Sequence, residues 1–331
     1  MTELLPLVPV GVTFDAFTDI DFWISVGILA GIYTIFALGL QLNVGFTGIQ
    51  NFGQVGFMAI AAYSMAILTT TPDGGEGINF WISLPLSVLI TIGFALLVGL
   101  PSLRLRADYF AIATIALAES VRLIALNARG LTNGAQGIFG FDRSWDDFTD
   151  GIRDFIVDIG WTDVPNIFPL FLVTWVLAIG LTIALSRMQR TPWGRVLRAI
   201  REDEDAARAL GKNAFSYKLQ SLALSATLAA IAGFLFVINI KFVVPDSFLP
   251  IVTFTGYAVL ILGGLANYWG VAVGSIILWT ILEGLRFMDL PLEETQIAAL
   301  RFILLNLTLI LLLAFRPQGI LGKREEMVLG E

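Results

Sequence analysis

The segment TPWGRVLRAIREDEDAARALGKN, residues 191–213, holds nine charged residues, and Arg190 just before it makes ten. Apolar runs long enough to cross a bilayer flank it on both sides. Each charge carried to the middle of a bilayer costs roughly 2.5–3.5 kcal/mol. Ten of them cost tens of kcal/mol, so the segment stays in water. The runs beside it read as membrane spans, and the rest of the chain follows from that contrast.

Composition agrees. Of 331 residues, 56% are hydrophobic and 14% charged, against about 25% charged in a soluble domain. The mean hydropathy is +0.81. The expectation is an all-α polytopic membrane protein, one transmembrane domain over 1–331, with no room for a large soluble domain. The net charge of −7 argues against nucleic acid as a partner. With no Cys there is no disulfide or thiolate chemistry, and with no His the commonest metal ligand and general base is missing. Neither a cofactor nor a metal site is expected. The opening MTELLPLVPVGVTFDAFTDIDFW has acids and no Lys or Arg. A cleaved signal peptide starts basic, so this stretch is expected to be retained.

A helix spanning roughly 30 Å of hydrocarbon needs about twenty apolar residues. About nine transmembrane or partly broken helices are predicted, near 22–44, 51–70, 78–100, 107–126, 166–187, 217–244, 250–268, 271–288 and 298–316. The second is the weakest, with Gly53, Gly56, Asn51 and Gln54 near its start. Basic residues mark cytoplasmic loops. With loop 188–216 in the cytoplasm, that side collects Arg104, Arg106, the eight basic residues from Arg187 to Lys218, Arg316, Lys323 and Arg324, thirteen of the twenty. The other side collects Asp73, Glu76, Asp142, Asp146, Asp147, Asp150, Asp154, Asp158, Asp163, Glu293 and Glu294. The N-terminus is then expected outside and the C-terminus in the cytoplasm. In the long external loop 127–165, Phe148, Ile152, Phe155, Ile156 and Ile159 fall at helical spacing. That pattern predicts a short amphipathic helix, either capping an outer vestibule or resting on the membrane surface.

Loop 188–216 is patterned too. Trp193, Val196, Leu197 and Ile200 make one apolar helix face. Asp203 suits the N-cap of a second short helix, with Ala206, Ala207 and Leu210 as a small apolar face. Gly211 suits its left-handed C′ position. Pattern alone leaves two readings open: a plug for a groove on another protein, or a helix pair lying on lipid.

Asp205–Gly211, DAARALG, resembles the EAA-x-x-x-G loop of ABC importer permeases. More closely, GRVLRAIREDEDAARALGKNAFSYKLQSLALSATLAAIAGFLF (194–236) is similar to the LivM-type permeases of branched-chain amino acid importers. So are GLQLNVGFTGIQNFGQVGFMAIAAY, LRLRADYFAIATIALAESVRLI, GGLANYWGVAVGSIIL and FRPQGILG, in family order along nearly the whole chain. Two features depart from the pattern: Asp205 stands where the general motif has Glu, and the acidic 139–165 stretch is long for the family. The resemblance implies that the loop is a coupling helix seated in a cytoplasmic ATPase, with Trp193, Arg198, Glu204, Asp205, Ala206, Ala207, Leu210 and Gly211 in that role. It also implies a LivH-like second permease, two ABC ATPase subunits, an external solute-binding protein and the inner membrane of a prokaryote. ATP hydrolysis belongs to other chains, because no G-x-x-x-x-G-K-[ST] cradle occurs here.

Polar groups inside spans tend to face a cavity or a partner helix. Glu119 and Arg122 share a helix face, and Glu283 and Arg286 repeat the spacing. They read as charged path lining or as self-neutralising pairs. In GFTGIQNFGQVG, residues 45–56, four glycines and the amides Gln50, Asn51 and Gln54 interrupt a span. Broken helices at membrane depth are buried in protein or line a cavity. This stretch, with Gln41 and Asn43 before it, is therefore a candidate border of the route. Gly27/Gly31 and Gly270/Gly274 are read as helix packing. Asn51-Phe52-Gly53 and Asn267-Tyr268-Trp269-Gly270 are a faint repeat at two span starts. Two other readings stand beside the importer of branched-chain or related amino acids. One is a permease for urea or short amides. The other is a standalone secondary transporter, which Glu119 and Glu283, each one turn from an Arg, suit poorly.

Overall fold

The computed structural model describes residues 19–70, 77–161, 164–287, 294–315 and 319–322. The N-terminal stretch, Asp73, Glu76, Asp163, Glu293, Arg316, Lys323 and Arg324 lie outside them, as does the side chain of Arg286. In chain order the helices are α1 (Ile20–Leu40), α2 (Gln54–Thr69), α3 (Phe80–Ser102), α4 (Ala107–Asn127), α5 (Arg129–Thr132), α6 (Arg143–Asp158) and α7 (Phe168–Met188). There follow α8 (Pro192–Glu202), α9 (Glu204–Ala209), α10 (Ala214–Ile240), α11 (Ile251–Gly263), α12 (Tyr268–Phe287) and α13 (Glu294–Phe315). A π-helix, Gln41–Thr47, continues α1. Two short strands, β1 (Ile138–Phe139) and β2 (Phe242–Val243), pair antiparallel.

An apolar helix stands at each of the nine predicted spans. Among the described residues, six runs are long and apolar enough to cross a membrane: Ile20–Thr47, Phe80–Ser102, Ala107–Asn127, Phe168–Met188, Ala214–Ile240 and Pro245–Gly263. Gln54–Thr69, Tyr268–Gly284 and Thr295–Thr308 are shorter apolar helices. The weak second span begins at Gln54, after six non-helical residues, because its front end is taken up by the break.

Core and rim follow from side-chain size. α1 is apolar on every face and is buried from Ala30 to Leu40. It packs against α7, α10, α11 and α12, while α2 and α10 fill the other half of the centre. The outer helices turn small residues inward. On α3 these are Ser83, Ser87, Thr91, Ala95 and Gly99, one every four residues. On α7, Thr174, Ala178 and Thr182 do the same. A Cβ on Gly99 would sit 2.8 Å from Leu219 and Leu222 of α10, which measures how close the backbones come. The bulky residues of these helices, such as Leu89, Leu97, Ile112 and Val176, point outward. Between helices in lipid, close backbone approach replaces the hydrophobic drive. The glycines read as packing sites behave so. Gly27 and Gly31 meet Phe171, Thr174 and Trp175 of α7, and Gly274 lies against Val259 and Gly263 of α11.

Candidate coupling helices and the buried polar cluster

Loop 188–216 folds into two short helices, α8 and α9. Asp203 caps α9, its Oδ1 accepting from the N–H groups of Asp205 and Ala206 at 2.9 Å each. Gly211 follows with φ of +78°, the left-handed stop the sequence predicted. The predicted apolar face of α8 turns inward, with Leu197 and Ile200 buried and Trp193 and Val196 partly so. Ile200 packs with Ala207 and Ala214, and Trp193 Nε1 donates to Gln220 Oε1 at 2.9 Å. Glu204 pairs with Arg208 at 2.6 Å and with Lys218 of α10, tying α9 to the bundle.

The three small apolar residues of α9 do not share one environment. Ala207 is buried, while Ala206 and Leu210 face out. Leu210 is 82% exposed and the Asp205 side chain 94% exposed. The pair of helices thus has an inner face that holds the bundle and an outer face with a bare leucine beside a bare carboxylate.

Directly above α8 lies the break in the first span. In the π-helix Gln41–Thr47 and the six residues after it, the backbone loses its regular partners, and side chains from other helices take their place. Phe52 N–H donates to Thr114 of α4, Val55 N–H to Thr253 of α11, and Tyr257 of α11 donates to the Asn51 carbonyl. The amides close a dry cluster. Asn43 Nδ2 donates to Ser225 Oγ at 2.9 Å, and Ser221 Oγ donates to Asn43 Oδ1 at 3.1 Å. Gln54 Nε2 donates to the Ser225 carbonyl at 3.1 Å, and Asn51 Nδ2 donates to Gln54 Oε1 at 2.9 Å. The Gln41 amide oxygen, oriented to satisfy its neighbours, accepts from the N–H groups of Ala266 and Asn267. Gln41, Asn43, Asn51 and Gln54 are fully buried, whereas Gln50 is exposed. The faint repeat has a local meaning. Asn51 accepts from Gly53 N–H and Asn267 from Trp269 N–H, each turning the chain into the next helix.

Of the two E-x-x-R spacings, the first is fully described. Glu119 and Arg122 bond at 2.6 Å, and Arg122 also reaches Asp246 at 3.2 Å across to the α10–α11 connection. Glu283 is buried and pairs with Arg301 of α13, a partner the spacing rule did not include. The amphipathic helix in the 127–165 segment is α6. Its Phe148, Phe155 and Ile159 are exposed, and Phe148 also meets Trp81 edge-on at 5.1 Å. Lys241 binds Asp146 at 3.0 Å and Asp142 at 3.6 Å, and together with the β1–β2 pair it fastens this segment to the end of α10. The hydrogen bond to Asp146 holds the Lys241 ammonium above its ordinary range.

Among the described residues, crevices open at both ends of the bundle. One of about 720 Å³ lies between the end of α2, the start of α3 and residues 129–144. The other two are at the opposite end, about 330 and 320 Å³, and flank the π-helix. Phe46, Arg198, Asn267 and Trp269 border the first; Thr47, Gly48, Gln50, Arg201 and Lys218 border the second. Of the predicted path residues whose side chains are described, Gln50 alone lines one of these three; the four buried amides sit in close-packed protein.

The model of the family described as "Branched-chain amino acid transport system / permease component" matches residues 23–313. The chain belongs to this family. As a member of it, the protein is a multi-pass membrane permease built from apolar helices. It is 33% identical to the high-affinity branched-chain amino acid transport permease LivM of Salmonella typhimurium, over 90% of this chain and 69% of that one. It is 26% identical to the probable LivM of Methanocaldococcus jannaschii, over 89% and 91%. It is 27% identical to the LivH permease of Salmonella typhimurium, over 90% and 93%. No solved structure matches. In this permease, sequence reasoning missed Thr47, Ser221 and Ser225 of the cluster, and Arg201 of α8. The serines sit one turn apart on α10, as a four-residue polar stripe in an apolar span, and that signal was available.

Proposed function

We propose that this permease is the membrane subunit of an ATP-binding cassette importer for branched-chain or related amino acids. It places loop 188–216 and the C-terminus in the cytoplasm of a prokaryotic cell, and the 127–165 segment outside. Separate ATPase subunits grip the outer face of α8 and α9, a LivH-like permease pairs with it in the membrane, and an external binding protein delivers the amino acid. The single observation that carries this reading is the outer face of α9. Leu210 and Asp205 are bare on helices whose other face is packed and ion-paired. An exposed leucine at the tip of a well-ordered, capped helix pair fits a groove on another protein better than it fits water. The family and the LivM and LivH relatives support the cargo class.

Between the α9 groove contact and the spans, closing of the ATPase moves α8 as a lever. The buried amide cluster keeps the chain shut until that lever moves. The test is copurification and uptake. The complex made with Leu210→Asp is expected to lose the ATPase subunits and leucine uptake while the permease still inserts at normal abundance. ATPase retention and normal uptake in that variant would reject the assignment.

A further inference from the structure

Among the described residues, α8 packs against the break in the first span and is hydrogen-bonded to it through Arg201. Its Nη1 donates to the carbonyl of Gly45, in the middle of the π-helix. The Cα, Cβ and Cγ of Arg201 lie against Gly48, where a Cβ would stand 3.2–3.7 Å away. Gly48 has φ of +74° and ends the π-helix. Arg201 Nε is buried with no partner among the described residues, so the guanidinium is held by the π-helix on one side only.

From this geometry we infer that Arg201 is the positioning residue through which α8 moves the π-helix, and with it the polar cluster. The inference rests on the reading of α8 and α9 as coupling helices. Three observations carry it. Among the described residues the π-helix is the one span segment with a widened ladder, and such segments are less regular than α-helix and often mark functional sites. Crevices of about 330 and 320 Å³ lie on its two sides, so it has room to shift that the close-packed α1 above it lacks. Asn43, two residues before Gly45, carries the hydrogen bonds to Ser221 and Ser225. A pull on the Gly45 carbonyl therefore reaches the cluster through two residues. Gln41 carries the same displacement to the Ala266–Asn267 turn and the start of α12. A guanidinium suits the task, because its fixed charge makes a strong hydrogen bond to a carbonyl that has lost its helical partner.

The experiment uses the complex purified with its ATPase and permease partners in liposomes. If the wild-type chain does not assemble with an ATPase, the underlying reading fails and Arg201 is not at issue. With assembly in hand, Arg201→Gln is expected to keep the ATPase bound but to raise the ATP hydrolysed per amino acid imported at least tenfold. Arg201→Lys, which keeps a charged donor, is expected to recover part of the loss. An unchanged ratio in Arg201→Gln overturns the inference. Should that variant fail to assemble, labels decide on an otherwise wild-type chain, which has no cysteine of its own. Spin labels go on Gln50→Cys with Glu202→Cys, and separately on Leu89→Cys with Glu202→Cys. On ATP trapping the first separation is expected to stay fixed and the second to change. Any other pattern overturns the proposal.

Discussion

Replacing Ser225 by alanine tests whether the amide cluster is a latch. The Ser225 hydroxyl bonds Asn43 Nδ2, the Gly39 carbonyl and Gln54 Oε1, each at 2.9 Å, and it is fully buried. Alanine leaves Asn43 Nδ2 without its acceptor, while Gln54 Oε1 keeps Asn51. In a soluble core an orphaned buried donor costs about 1–3 kcal/mol. In a membrane the separated helices find other partners, and measured couplings average about 0.6 kcal/mol with a maximum near 1.7. The second reference applies here, because α1 and α10 stay helical when pulled apart. The expected coupling between Asn43 and Ser225 is then about 1 kcal/mol, measured by the cycle Asn43→Leu, Ser225→Ala and the double variant in detergent unfolding. Because 1.4 kcal/mol is tenfold in an equilibrium, the closed state should lose about fivefold against the open one. Substrate-independent ATP hydrolysis by the complex should rise by about the same factor. A coupling energy near zero would mean the cluster does not hold the closed state. So would a stable cycle with unchanged hydrolysis.

Four further outcomes are expected. Asp203→Ala removes the carboxylate oxygen that accepts from two N–H groups and should weaken α9 by about 1 kcal/mol, seen as weaker ATPase retention on a column, with Asp203→Asn restoring most of it. Gly48→Ala forces a β-carbon onto a left-handed backbone beside Arg201, at about 1–2 kcal/mol; a lower melting temperature in detergent is the readout. Lys241→Met frees the 127–165 segment, so trypsin should cut at Arg153 several times faster than in the wild type. The Lys241 pKa is raised, so its share of stability is present below the ordinary lysine value near 10.5 and is lost as pH climbs through the raised one. That cutting rate should therefore stay flat from neutral pH to about pH 9 and increase only in stronger base. In sealed right-side-out cells, labels on Lys212 should be blocked while those on Arg153 react; reaction at Lys212 would reverse the proposed orientation.

Most of the architecture was readable because bilayer crossing is a local property. About twenty apolar residues, or the lack of them, decide a span without reference to the rest of the chain. The same holds for α8 and α9, whose cap at Asp203 and stop at Gly211 act within one turn. Thus the nine helices, the two short polar ones and amphipathic α6 were determined by sequence alone.

Sequence reasoning failed wherever the partner lay far along the chain. Nothing near Glu283 points to Arg301, and nothing near Gly45 points to Arg201, 156 residues away. Leu210 and Ala207 share one short helix, yet one is bare and the other buried, because only the docking of α9 on α10 decides which side is covered. The break after α1 was visible as glycines and amides, but which of its polar groups are buried was not. The tertiary structure buries four of its amides: Thr114, Thr253, Tyr257, Ser221 and Ser225 arrive from three other helices to satisfy polar groups there, while Gln50 stays exposed. Local hydropathy sets which segments enter the membrane; the pairing of buried polar atoms, which depends on helix-to-helix geometry, is decided only when the bundle closes.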